Sequence, residues 1–333
     1  MPVSRRLCSS VGTLLAFVRP ASVLSMSSKA PVIDSAIHLW STGAEPYPWV
    51  APPPADLQSV ATAEAYLAKA KAAGVSGAIV VQPANHMYDH SYVKKALEQH
   101  PGFLKGMGLA NPTLPPLEAV AALEELSRSG FAGVRFNAGN FPDGLQSEVG
   151  KALYKRAGEL GMPVGVMCFK GLAPFADDLQ SLCKDFPATV LIVDHLGFFR
   201  QPAIGGQLGD RAQNEEASWD ALLSLAQHPQ VYVKVSALFR ASGDLPPFAD
   251  LQPRISALIR AYGADRLMWG TDYPFVLPGG FPLPEGVDST PAALTYEAAA
   301  AVPLKWSLPE LDDAARSALM GGTAAKLFRF DSC

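Results

Sequence analysis

From Val32 onward the chain alternates short, nearly continuous apolar runs with longer stretches in which apolar residues recur at helical spacing. The runs are Val32–Leu39, Gly77–Gln82, Phe103–Ala110, Phe131–Phe136, Pro163–Phe169, Thr189–Val193, Val231–Val235 and Arg266–Trp269. Between them the pattern predicts helices near Asp56–Ala73, Ser91–His100, Leu117–Ser129, Gln146–Leu160, Phe175–Phe186, Glu216–Gln227 and Leu251–Tyr262. Asp56 is the candidate cap of the first helix and Gly74 its stop. Leu117, Val120, Ala121 and Leu123 are assigned to the buried face of the third. After the last run comes a long Pro- and Gly-rich segment, Val276–Pro291, a candidate flap. The tail, Pro309–Phe330, reads as a final helix packing under or beside the rest.

Continuous apolar strands separated by helices imply a parallel sheet covered on both faces. Eight such units in one chain favour a closed α/β barrel, a (β/α)8 or TIM barrel, over an open doubly wound sheet. No glycine-rich dinucleotide fingerprint follows the first run, which weakens the open-sheet alternative further. At 333 residues one barrel accounts for the chain from about residue 31 to residue 333.

Composition narrows the partners. A net charge of −4 argues against nucleic acid or an anionic membrane. No apolar run approaches the ~20 residues that span a bilayer. Cys8, Cys168, Cys183 and Cys333 show no CxxC or zinc-finger spacing, which fits a reducing compartment. Residues 1–30 stand apart: Arg5, Arg6, Arg19 and Lys29, many serines and no acid. That is the composition of a chloroplast or mitochondrial transit peptide, or else of a disordered leader on a cytoplasmic protein. The segment is expected to be disordered and to lie outside the barrel.

In a barrel, polar side chains at the C-terminal strand ends face the active site. Those ends carry Asp34 to His38, Gln82, Arg135-Phe136-Asn137, Cys168 and Lys170, Asp194-His195, Ser236 and Arg240, and Thr271-Asp272-Tyr273-Pro274. The stretches Ile33-Asp34-Ser35-Ala36-Ile37-His38-Leu39-Trp40, Tyr47-Pro48-Trp49, Gly133-Val134-Arg135-Phe136-Asn137, Asp194-His195-Leu196-Gly197 and Trp269-Gly270-Thr271-Asp272-Tyr273-Pro274 follow in a telling order. With them the chain resembles the amidohydrolase-related branch of the amidohydrolase superfamily over about residues 32–330. The likeness is to its lactonase-like group, which includes 2-pyrone-4,6-dicarboxylate lactonase and sugar-acid lactonases. The resemblance implies a barrel and hydrolysis of an ester, lactone or amide, though some relatives are decarboxylases.

The departures bear on metal. The family opens on His-x-His, but here the triplet is Ala36-Ile37-His38. Metal-dependent relatives place a His or Lys ligand on strand 5, where this chain has Met167. Only His38, His195 and Asp272 remain as ligands, so the expectation is a site without a divalent metal or other cofactor. Gly321-Gly322-Thr323 replaces a motif that often has Asn at the Thr323 position, a structural detail only.

Lactone hydrolysis needs a base for water, donors for the carbonyl oxygen and a proton for the leaving alkoxide. Asp272 is the candidate base, and His38 and His195 the candidates that polarise the carbonyl. Arg135 is the candidate grip on a substrate carboxylate, with Lys170 and Arg240 as further anion contacts. Competing readings stay open. Asp272 could cap a turn, His195 could be satisfied by backbone, and Arg135 could pair with Asp194. His86, His90, His100 and His228 are assigned to solvent and Asp34 to a structural role. Trp40 and Trp49 line the pocket or pack the Pro-rich loop. No Gly-x-Ser-x-Gly elbow is present, and Cys168 has no activating neighbour. Two function classes follow: a metal-independent hydrolase of a small, carboxylated lactone or cyclic ester, or a degenerate barrel that binds without turnover. A metal-dependent hydrolase or decarboxylase is the third reading.

Overall fold

The computed structural model describes residues 30–201, 211–280 and 294–330. The leader and most of the Val276–Pro291 segment lie outside the described residues, as do Cys8 and Cys333. The strands are β1 (Ile33–Ile37), β2 (Gly77–Val81), β3 (Leu104–Leu109), β4 (Gly133–Asn137), β5 (Val164–Met167), β6 (Leu191–Val193), β7 (Val231–Ser236) and β8 (Leu267–Gly270). They form one eight-stranded parallel sheet in chain order. The circle is completed just past β8, where Asp272 N–H donates to Ala36 O at 2.8 Å and His38 N–H to Tyr273 O at 2.7 Å. The fold is thus the expected (β/α)8 barrel.

Helices α1 (Ala63–Ala72), α2 (Ser91–Gln99), α3 (Pro116–Arg128), α4 (Glu148–Glu159), α5 (Ala176–Asp185) and α6 (Arg211–Ser224) cover the outside. After them come a single-turn α7 (Leu238–Ala241) and then α8 (Gln252–Tyr262). Two local expectations need correction. The first helix begins at Ala63, capped by Thr62, whose Oγ1 accepts from Ala65 N; Asp56 sits instead in a separate short turn, Ala55–Leu57. On α3 the buried face is Ala119, Leu123 and Leu126, while Leu117 is 86% exposed and Ala121 also faces solvent. The helix starts one residue before Leu117, at Pro116, and its first turn points Ala119 inward and Leu117 outward.

Strand alternation divides the core. Val80, Val134, Val164, Val193, Val233 and Trp269 belong to the large cluster between sheet and helices. Ile33, Ile79, Val81, Met107, Ile192 and Met268 form a second cluster that fills the barrel interior. The tail closes the lower, N-terminal end. After a short α9 (Tyr296–Ala300), the tail Pro309–Phe330 is not one helix but α10 (Asp313–Ser317), a π turn over Ala318–Gly322 and α11 (Thr323–Phe328). Ala324, Phe328 and Phe330 pack into the interior cluster from below. The break falls at Gly321, where a Cβ would stand 2.1 Å from the Pro31 carbonyl, so only glycine lets the tail lie against the start of β1. Among the described residues no helix is long and apolar enough to cross a membrane.

Candidate active site

The upper end of the interior is polar. β1 slips in register against β2 between Asp34 and Ile37. Beyond the slip Ile37 joins the outer cluster and His38 lines a cavity at the barrel mouth. The cavity measures about 350 Å³. Arg135 and Asn137 from β4, Met167 from β5, His195 after β6, Arg240 on α7 and Asp272 after β8 also line it. Leu109, Phe169, Phe198 and Phe275 supply its apolar walls.

Asp272 is the centre of the arrangement. Its Oδ1 lies 3.4 Å from His38 Nε2 and 3.6 Å from His195 Nε2, and its Oδ2 accepts from Arg240 Nε at 3.1 Å. Burial opposes its ionisation, but His195, Arg240 and His38 outweigh burial and hold the carboxyl well below the usual carboxylate range. Near neutral pH burial keeps His195 uncharged, and Arg240 is a standing positive charge on this carboxylate. Arg240 is itself seated over the rings of Phe239 and Phe275, 5.0 and 5.4 Å from their centroids.

The two imidazoles are held differently. His38 Nδ1 faces the Val81 carbonyl at 2.9 Å; a carbonyl only accepts, so Nδ1 carries the hydrogen and Nε2 is the atom free to exchange a proton. His195 Nδ1 meets the Ser236 hydroxyl at 2.8 Å, a group that donates as readily as it accepts. Burial lowers the His195 pKa to about 4, with Asp272 and Asp194 resisting, so the ring is neutral at pH 7. The tautomer with its proton on Nε2, facing Asp272 Oδ1 and the cavity, is the one in which Ser236 Oγ donates to Nδ1 and not to Lys234 O, 3.5 Å away. His195 and Asp272 both have left-handed backbones, φ 51° and 63°, an uncommon conformation for residues other than glycine.

Arg135 does pair with Asp194, at 3.0 Å and fully buried, and it also lines the cavity, so the structural and functional readings hold together. Asp194 is drawn in addition to Lys234 Nζ, at 3.0 Å. Burial pushes the Asp194 pKa up, and the two cations more than reverse this, to about 2. Lys234 was not singled out from the sequence, although a lysine amid the valines of Val231–Val235 is a signal that it points to the barrel interior.

Lys170 is exposed and, although it follows the wall residue Phe169, is not itself among the described residues that line the cavity. Trp40 and Trp49 do not line the cavity either: their indole N–H groups donate to Leu57 O and Ser41 O and fix the Pro-rich loop. His86 is buried rather than solvated and joins the same loop, accepting from Ser41 N and facing Pro48 O. His90 is likewise engaged, accepting from Leu109 N at 2.9 Å, and His228 meets Gln180 Oε1. Asp34 is structural: Thr271 N–H and hydroxyl, Ala36 N–H and Tyr296 hydroxyl all donate to it, tying β1 to β8. Cys168 is buried, which pushes its thiol pKa up and disfavours a thiolate nucleophile.

By the resemblance, metal-dependent family members hold a divalent ion at this end of the barrel. Ala36 offers a methyl group and Met167 a thioether where those proteins place ligands. The carboxylate that remains is already engaged by Arg240. Among the described residues no group of three or more His, Cys, Asp or Glu side chains is arranged to hold a metal ion.

A family model described as amidohydrolase matches residues 33–330. An L-fucono-1,5-lactonase of Burkholderia multivorans is 31% identical over 45% of this chain and 47% of its own length. A 4-sulfomuconolactone hydrolase of Hydrogenophaga intermedia is 27% identical over 63% of this chain and 64% of its own. The matched stretch therefore spans less than two thirds of these curated relatives. Among solved structures, a putative 2-pyrone-4,6-dicarboxylic acid hydrolase from Pseudomonas putida superposes with a TM-score of 0.64 at 28% identity, over 92% of this chain and 100% of that one.

Proposed function

The chain belongs to the amidohydrolase family, and from that premise we propose that it hydrolyses the ester bond of a small carboxylated lactone without a metal ion. The observation that carries the proposal is the convergence of two imidazole Nε2 atoms on one oxygen of Asp272, in a cavity that Arg135 and Arg240 also line. Asp272 takes a proton from water as the water oxygen attacks the lactone carbonyl. His195 Nε2–H donates to the carbonyl oxygen as that oxygen becomes negative. The ring C–O bond then breaks, and the proton passes from Asp272 through His38 Nε2 to the leaving alkoxide, giving a hydroxy acid. Its bond to Val81 O thus favours His38 for the proton path over the carbonyl-polarising part that the sequence suggested.

A substrate carboxylate has its natural partners in Arg135 and Arg240. An anion that takes up part of the Arg240 charge also loosens the hold on Asp272 Oδ2, making Asp272 a stronger base once substrate is bound. The phenylalanine walls suit the flat face of a ring, and Gln82, Asn85 and Asn137 of the same cavity offer hydrogen-bond partners to its substituents. The names of the relatives, fuconolactonase and sulfomuconolactone hydrolase, agree with lactone chemistry and leave the ring open.

The test is a panel of carboxylated, uncharged and sugar-derived lactones, assayed by acid release with chelator and with added divalent metal. Hydrolysis of a carboxylated lactone that is indifferent to chelator is the expected result. Binding without turnover would mark a degenerate barrel. About one metal per chain, with activity lost on chelation and restored by metal, would overturn the metal-free reading.

A further inference from the structure

One buried cation has no part in the reaction as derived. On β7, Val231, Val233 and Val235 pack outward against the helices, leaving Lys234 and Ser236 to face the interior. Ser236 holds His195. Lys234 is 0% exposed, and its Nζ lies 3.0 Å from Asp194 Oδ1. The other oxygen, Oδ2, faces Arg135 at 3.0 Å. A single carboxylate is therefore shared between two cations, one per oxygen. The remaining close neighbour of Lys234 is Met107 Sδ at 3.8 Å, a weak acceptor. Asp34 is the next acid, and its oxygens are taken by Thr271, Ala36 and Tyr296.

Arg135 and Asp194 alone would make a neutral buried pair. Adding Lys234 places a second cation beneath the cavity floor; burial pulls its pKa down, and Asp194 and, further off, Asp34 oppose this. Such a charge weakens the fold unless something uses it. Arg135 is the member of the trio that reaches the cavity.

We propose that Lys234 is a positioning residue for anion recognition: by occupying one oxygen of Asp194, it keeps Arg135 from being neutralised and leaves that guanidinium charged toward a substrate carboxylate. The inference rests on the reading that the substrate is carboxylated. It assigns Asp194 the task of aiming Arg135, and Lys234 the task of limiting how much of the Arg135 charge Asp194 cancels.

The test compares the full chain with Lys234→Met and Lys234→Gln on a carboxylated lactone and on an uncharged lactone of equal ring size. KM for the carboxylated lactone rises about tenfold or more in both variants, while kcat and the constants for the uncharged lactone stay within about twofold. Both variants keep a cooperative melt, because Asp194 retains Arg135 as its partner. Equal losses on both lactones, an unchanged KM for the carboxylated one, or failure of both variants to fold would make Lys234 a structural partner of Asp194 and overturn the proposal. If the wild-type chain hydrolyses neither lactone, it is the lactonase reading that fails. Calorimetric titration with benzene-1,3-dicarboxylate then decides for Lys234: affinity weakened about tenfold in Lys234→Met supports it, and equal affinity or no binding to the wild type overturns it.

Discussion

Asp272 sits in a left-handed backbone, its N–H held by Ala36 O and its two oxygens facing different partners. An amide in its place keeps the shape but cannot take a proton from water. Asp272→Asn therefore lowers kcat by about 10²–10⁴-fold with a smaller change in KM, measured by steady-state kinetics on the lactone that the panel selects. His195→Ala removes a donor whose worth grows with charge on the carbonyl oxygen, so kcat falls about 10²–10³-fold and substrate affinity changes less. A variant in which KM rises with kcat unchanged would place His195 in ground-state binding instead. Lys170→Ala, at an exposed position off the cavity, leaves both constants within about twofold.

Among the elements, the tail is the most sensitive to a single atom. Gly321→Ala would drive a methyl group into the Pro31 carbonyl, and the expected loss is about 1–3 kcal/mol in chemical denaturation, with the mouth chemistry unaffected in the folded fraction. The strands were legible in the sequence because both faces of a barrel strand are buried, so each strand reads as a continuous run. The helices were legible to within a few residues, except where a polar residue invited the wrong cap: Asp56 lies before Thr62, and sequence alone does not say which of two good caps the tertiary structure uses. The tail was read as one helix because the π turn and Gly321 respond to Pro31, a contact far away along the chain. The same limit applies at the site. Asp272, His195, His38, Arg135 and Arg240 were found because they stand at strand ends or just beyond. Lys234 is harder to read because it stands within β7, below the strand end at which polar residues point to a mouth. Lys170 directly follows Phe169 of the cavity wall, and its own side chain is exposed.

For the molecule as a whole, acid should be destabilising, and the sign can be worked out group by group. His195 and His90 each have a folded pKa lowered by burial to about 4, against 6.5 unperturbed. Below pH 6.5 the unfolded chain takes up these protons and the folded chain does not, so stability is lost as pH falls from 6.5 toward 4. Asp34 acts in the opposite direction: burial raises its pKa from 3.8 to about 6, so over that window the folded state binds the extra proton and gains stability as pH falls. His86 and His228, also lowered by burial, act with these two histidines, and against one aspartate they leave a net decline. Melting temperature should therefore drop between pH 6.5 and pH 4, and His90→Gln, which keeps an acceptor for Leu109 N, should flatten the drop. A melting temperature independent of pH across that window would contradict the burial of these rings.

The bonds from Asp272 and His38 that join the last strand to the first, together with the tail lying against Pro31, turn a linear chain into a ring of repeating units. Phe330 packs near Gly77, which follows the Ser76 that bonds Val32, so the two ends of the described barrel meet at the face opposite the cavity. A ring has no privileged place to be cut. Circularly permuted chains, with residue 330 spliced to residue 30 and new ends opened between helix and strand on the lower face, should assemble the same mouth. The order in which the gene spells the units would then be a matter of history, and the chemistry would depend on the closed circle.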